Sequence, residues 1–252
     1  MDGLETVAGD LLDHRVLMSY RRCSRVGPHH YGSDVLDHPP PDWRDVTLMA
    51  DPAVTTVPLV ESGAALVDTA GVVTFTGETD EARHLRQPVL DRLADAAAAL
   101  PRDLVLALNE GWRPPELQRH YFERYAARLR SERPEATEAE VHRLASRFVS
   151  PPEVAPHTAG AAVDVLLLTP EGEVLDVGCP LDASPEDSAG RCYTDHPDVV
   201  GEPLALRREL VRAMAGAGLV NYPTEWWHWS WGDRYWAHVT RASHAVLGPA
   251  SP

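Results

Sequence analysis

Lysine is absent from this 252-residue chain: all 23 basic residues are arginine, against 38 acidic ones, for a formal charge of -15. The missing lysine points to GC-rich codon usage and assigns no site. The sign of the charge says more, because phosphate binding needs clustered cations, and so nucleic acid is excluded as a partner. Cysteine is scarce as well. Cys23, Cys179 and Cys192 are odd in number, far apart and without CxxC spacing, which excludes a disulfide framework or a zinc ribbon and leaves reduced thiols. No apolar run approaches a membrane-spanning length, and Met1-Asp-Gly-Leu-Glu-Thr lacks the basic and apolar regions of a signal peptide. A cytoplasmic protein with no membrane partner is expected; the sequence carries no signal for oligomeric state.

What is present is ordinary globular composition, 44% hydrophobic and 24% charged, with 22 prolines that imply many loops. Residues 1–80 are rich in Pro, Asp and Gly, with His29-His30 and Pro39-Pro40-Pro41 breaking any periodicity. They read as an irregular N-terminal portion packed on a catalytic domain over 81–252, with short strands at Ala64–Val67 and Val72–Phe75. From Asp80 the spacing of Leu85, Val89, Leu93, Ala97 and Leu100 predicts a helix that Pro101 stops. Leu104–Leu108 reads as a buried strand delivering Glu110-Gly-Trp-Arg113. Two helices follow, Pro115–Ser131 and Thr137–Val149, the second with a capping-box spacing at Thr137 and Glu140.

Ala161–Leu168 reads as a strand, paired in a hairpin with Val174–Val177 across Thr169-Pro-Glu-Gly172. An amphipathic helix over Leu204–Ala217 leads to strands near Leu219–Tyr222, Glu225–Trp231 and Tyr235–Val239. The pattern predicts an α+β single domain with a central antiparallel sheet flanked by helices.

The chemistry concentrates in three places. His157 precedes Gly160, where the backbone can pass closely, and Asp164 falls inside an apolar strand, where an unpaired carboxylate would be costly to bury. With His228 they form a two-His, one-carboxylate set that leaves a metal one open position, and Glu225, three residues earlier, could act on water there. Each of these residues has a plainer reading: the chain has 12 histidines, most of them structural or on the surface, and Glu225-Trp-Trp-His228 could be a packed aromatic strand. Strand alternation would also set Glu225 and His228 on opposite faces. They converge only if Glu225 lies in the turn after Pro223.

Glu110-Gly-Trp-Arg113-Pro, His157-x6-Asp164, Val177-Gly-Cys-Pro-Leu-Asp182 and Glu225-Trp-Trp-His228 together resemble, in this order, the motifs of the D-alanyl-D-alanine dipeptidase family. This is the VanX-like group of zinc peptidases, related to the D,D-carboxypeptidases, and the similarity spans roughly residues 80–240. The resemblance implies one Zn2+ per chain on His157, Asp164 and His228, with Glu225 as general base. It also implies that Arg113 stabilises the transition state and that Asp182 holds the amino group of a small dipeptide substrate from the cell wall. The chain departs from the pattern at Ala155-Pro-His157-Thr-Ala-Gly160, which lacks the family's serines, at Glu110, where the family has aspartate, and at Cys179, where it has threonine or serine. Those changes put strict D-Ala-D-Ala specificity in question more than hydrolysis itself.

Other readings of the same residues are a non-haem iron oxygenase with Fe2+ on the two-His, one-carboxylate triad, a D,D-carboxypeptidase, or a binding module that has lost turnover. Oxygenation has no task for Glu225. A binding module has none for Glu225 or Arg113.

Overall fold

A strand apolar at every position but one, Ala162-Val-Asp-Val-Leu-Leu-Leu168, is buried along its whole length at the middle of the main sheet. The structure, a computed structural model, describes residues 46–251. The elements run α1 (Pro52–Thr55), β1 (Leu66–Asp68), β2 (Thr74–Phe75), β3 (His84–Arg86), α2 (Gln87–Ala99), β4 (Val105–Glu110) and α3 (Pro115–Glu132). They continue with α4 (Glu138–Ala145), β5 (Ala162–Leu168), α5 (Glu202–Gly216), β6 (Val220–Asn221), β7 (His228–Ser230) and α6 (Arg234–Thr240). The main sheet has the order β2-β4-β5-β7-β6, and β1 pairs with β3 in a separate two-stranded ribbon. This is the expected α+β architecture with one refinement: β2 runs parallel to β4, while every other pair in the main sheet is antiparallel. His29-His30, Pro39-Pro40-Pro41 and Cys23 lie outside the described residues.

Three local readings are corrected by the structure. The helix expected from Asp80 begins at Gln87, because His84–Arg86 first pair with β1, and Pro88 then occupies the first turn, where its missing N–H costs nothing. The hairpin after β5 stops at one bridge, Leu168 to Val174, closed by Thr169 N–H on the Glu173 carbonyl at 2.8 Å. Beyond it the Val177 carbonyl accepts from a buried arginine, Arg207, and not from a neighbouring strand. Tyr235–Val239, whose aromatic and β-branched content suggests a strand, lies in α6. There Asp233 wins over intrinsic propensity by accepting from Tyr235 N–H at 2.9 Å and Trp236 N–H at 3.2 Å, which satisfies two otherwise orphan donors of the first turn. The capping box at Thr137 and Glu140 forms as expected.

Packing holds the sheet from several sides. Leu90 and Leu93 of α2 and Leu210 and Met214 of α5 join β4, β5 and the buried Trp226, Trp227 and Trp229 in the main core. Helices α3 and α4 close a second cluster through Phe122, Leu129, Val141 and Ala145. A third gathers Val46, Leu48, Met49 and Val54 against Tyr222 and Tyr235, and the Tyr222 hydroxyl donates to the Ser146 carbonyl while accepting from Met49 N–H. Among the described residues no helix is long and apolar enough to cross a membrane.

The cap on α6 is open to a direct check. Asp233→Ala removes the acceptor of two first-turn amides, those of the buried Tyr235 and the half-buried Trp236, and is expected to lower unfolding free energy by about 0.5–2 kcal/mol in denaturant titration. A variant as stable as the parent would show that α6 does not depend on Asp233.

Candidate metal centre

Strand register brings the first two groups together. Across β4, β5 and β7, Glu110 stands opposite Asp164 and Asp164 opposite His228, so the three side chains leave the same face of the sheet. A one-residue bulge between Leu108 and Glu110 makes this possible. Without it Asn109 would face Asp164, and Glu110 would point to the other side.

His157 arrives from outside the sheet, in a 3-10 turn over Pro156–Ala159 that ends at Gly160 with φ +62°. The left-handed backbone favours glycine at 160, and a Cβ there would in addition displace the Leu66 side chain, whose Cδ1 would lie 2.6 Å away. The ring is then aimed by Glu110-Gly-Trp-Arg113. His157 Nδ1–H donates to the Gly111 carbonyl at 2.7 Å, and Arg113 N–H donates to the His157 carbonyl at 3.2 Å. Gly111 can sit there because it has no Cβ, which would fall 2.5 Å from the His84 carbonyl.

With Nδ1 committed as a donor, His157 turns the lone pair of Nε2 inward. It lies 3.2 Å from His228 Nδ1 and 3.3 Å from Asp164 Oδ2, and His228 Nδ1 lies 3.1 Å from Asp164 Oδ1. All three side chains are buried, and they form a group of ligand atoms able to hold a metal ion. The two imidazoles meet different oxygens of Asp164, and one ligand atom from each residue lies within 4.8 Å of the others, so the donor set fits a transition-metal ion in its chemistry and can converge on one ion.

Burial alone would raise Asp164, but His157 and His228 hold its carboxyl well below the usual range. Burial opposes charging of both imidazoles; the Asp164 charge overcomes it at His157, which is raised, and not at His228, which is lowered.

Glu225 lies in the turn after Pro223, outside β7, and its Oε2 is 3.8 Å from His228 Nδ1. The geometric condition set by strand alternation is met, because Glu225 N–H bonds the Tyr222 carbonyl and the strand begins only at His228. Burial, with the charges of Asp164 and Asp182, pushes its carboxyl well above the usual range. A cation held by the three donors would act in the opposite direction.

Arg113 is held by Glu110 in a bidentate pair, Nε to Oε1 at 2.7 Å and Nη2 to Oε2 at 2.5 Å, and its Nη1 donates to Gln118 Oε1 at 2.7 Å. Its guanidinium stands 5.1 Å from the centre of the Tyr121 ring.

Asp182 has a left-handed backbone, φ +57°, and an exposed side chain. Surrounding protein, then the charges of Asp164 and Glu110, push its carboxyl up to about 7, against Arg113 and His157; contact with water tempers that rise. Asp182 therefore shares the electrostatic neighbourhood of the other site residues while facing solvent. Cys179 is buried, with its thiol 3.5 Å from the Pro180 carbonyl, and is not among the three donors. Gln118 and Tyr121 are additions that the sequence did not single out. Their spacing after Arg113 is visible in the chain, but it acquires meaning only once α3 starts at Pro115.

The donor set has a direct consequence. The purified protein is expected to bind one divalent transition-metal ion per chain, and His157→Ala or His228→Ala to abolish that binding, as measured by equilibrium dialysis and elemental analysis. Full occupancy in both variants would rule out this ligand assignment.

Residues 73–245 match the family model of the M15 peptidases described as D-ala-D-ala dipeptidase. A D-alanyl-D-alanine dipeptidase of Synechocystis sp. is 35% identical over 96 residues, 35% of this chain and 39% of the relative. Its counterpart from Escherichia coli K12 is 36% identical over 74 residues, 29% of this chain and 35% of the relative. The matched stretches thus span less than half the length of either relative. Among solved structures, the vancomycin resistance D,D-pentapeptidase VanY in complex with Zn(II) aligns at TM-score 0.37 and 16% identity, covering 75% of this chain and 90% of its own. The LdcB LD-carboxypeptidase aligns at 0.35 and 18%, covering 72% and 74%. The family match extends over most of the chain, and the protein belongs to the D-ala-D-ala dipeptidase family of M15 peptidases.

Proposed function

We propose that this protein hydrolyses a free dipeptide, D-Ala-D-Ala or a related small one, with one Zn2+ held by His157, Asp164 and His228. The observation that carries the reading is the convergence of three buried donors at 3.1–3.3 Å with the Glu225 carboxylate immediately beside them. When bound, the ion would polarise the scissile carbonyl and lower the pKa of water toward ~7.

The remaining work falls to side chains of the chain itself. Glu225 takes a proton from the attacking water and passes it to the leaving amine, a transfer that its buried position beside His228 allows. Arg113 offers a fixed guanidinium. Three of its five N–H donors are engaged by Glu110 and Gln118, which sets the plane of the group, and in this reading the other two meet the developing oxyanion. Asp182, open to solvent yet coupled to the site, receives the substrate's ammonium group. An N-acylated substrate has no such charge and leaves the carboxylate without its partner.

Metal and catalysis separate in one variant. Glu225→Ala is expected to retain the ion and to lose peptidase activity by about 10²- to 10⁴-fold. Loss of the ion together with activity would make Glu225 a ligand.

Substrate class is read by comparing a free dipeptide with its N-acetyl derivative. The derivative is expected to have a kcat/KM at least about tenfold lower, equivalent to about 1.4 kcal/mol in the transition state. Equal values would remove the role given to Asp182 and favour carboxypeptidase action.

A further inference from the structure

Arg207 is a buried cation with no carboxylate in contact among the described residues. Only 2% of it is exposed, and among the described residues its hydrogen bonds go to main-chain carbonyls. Nε donates to Val177 at 2.8 Å, Nη1 to Tyr193 at 2.6 Å and Thr194 at 3.1 Å, and Nη2 to Arg191 at 2.8 Å. The guanidinium also lies 5.9 Å from the centre of the Trp226 ring. Burial lowers its proton affinity to about 10, which still leaves it charged at neutral pH.

Those carbonyls belong to two irregular segments, each leading to a site residue. Val177 begins the run Val177-Gly-Cys-Pro-Leu-Asp182, whose chain turns at Gly178 with φ +84°. Residues 191–194 support the other side: Trp226 N–H donates to the Cys192 carbonyl at 2.9 Å, and Thr194 N–H donates to the Pro223 carbonyl at 3.0 Å. Pro223 and Trp226 bracket the turn that carries Glu225. One side chain from α5 therefore ties the segment bearing Asp182 to the segment that props Glu225.

We infer that Arg207 is a positioning residue that fixes Asp182 and Glu225 relative to each other without touching substrate or metal. The inference rests on the dipeptidase reading for the roles of those two residues. Arginine is required by geometry: a planar fork with five donors spans carbonyls on several sides, whereas an ammonium group concentrates three donors on one atom. A merely structural cation would be replaceable by lysine once the fold is retained.

The test uses the metal-loaded full chain with Arg207→Lys and the uncharged Arg207→Met. Measurements are circular dichroism, metal content, kcat and KM for a free dipeptide and its N-acetyl derivative, and hydrogen exchange at the Thr194 and Trp226 amides. In Arg207→Lys the expected result is a folded protein with one ion per chain and amide exchange at both positions faster by about tenfold or more. Its kcat should fall, its KM for the free dipeptide should rise, and its preference for the free over the acylated substrate should shrink toward unity. Parental exchange and parental selectivity in a folded Arg207→Lys would overturn the inference. So would loss of the ion or of the fold in both variants, which would make Arg207 a general structural residue. A parent protein that cleaves neither substrate would instead remove the dipeptidase reading, and the exchange rates would then decide the link made by Arg207.

Discussion

A carboxylate buried in the middle of an apolar strand is the constraint on which the rest of this structure depends. Asp164 is 3% exposed and sits between Val163 and Val165, both completely buried. An isolated ion in that setting costs several kcal/mol even after the protein relaxes. The surroundings are arranged to offset the cost. His228 meets one oxygen from the neighbouring strand, and His157 meets the other from a turn outside the sheet. Both contacts leave nitrogen and oxygen atoms facing a common point, an arrangement that a divalent cation would stabilise further.

The segment Glu110-Gly-Trp-Arg113 connects this centre to the rest of the fold. Its glycine carbonyl sets the His157 tautomer, its Trp112 indole donates to the Thr158 and Ala250 carbonyls, and its Glu110 fixes the plane of Arg113. Orientation of metal-binding imidazoles by a second hydrogen bond is the usual means of directing their free nitrogen. Here one short segment does this for His157 and also positions the cation expected to meet the oxyanion. The bulge at Asn109 supplies the change of face that this double task needs.

His157 with Asp164, and Glu225 with His228, were legible as two short-spaced pairs of metal-type residues beside strong strand or turn signals; that the two pairs, 64 to 71 residues apart, share one centre was carried by the family resemblance. The sheet was legible where strands are long and apolar, as in Ala162–Leu168. It was less so where tertiary contacts or caps outweigh propensity. Asp233 turns an aromatic, β-prone run into α6, and the pairing of His84–Arg86 with β1 delays the start of α2. Arg207 left no readable signal, since an arginine within an amphipathic helix looks like any solvated one until the carbonyls it gathers from residues 177–194 are in place. The role of Asp182 was likewise carried by resemblance, not by spacing; what the fold adds is its electrostatic coupling to Asp164, Glu110 and Arg113.

The proposed hydrolysis requires His157, Asp164 and His228 to form one metal centre with Glu225 beside its open position. Anomalous X-ray diffraction across the zinc absorption edge, on crystals grown with zinc and an uncleavable dipeptide analogue, tests it most directly. A single anomalous peak per chain is expected, bonded to His157 Nε2, Asp164 and His228 Nδ1, with the analogue's carbonyl mimic between that peak and Arg113. A peak coordinated by other residues, or no peak among these three, would contradict it.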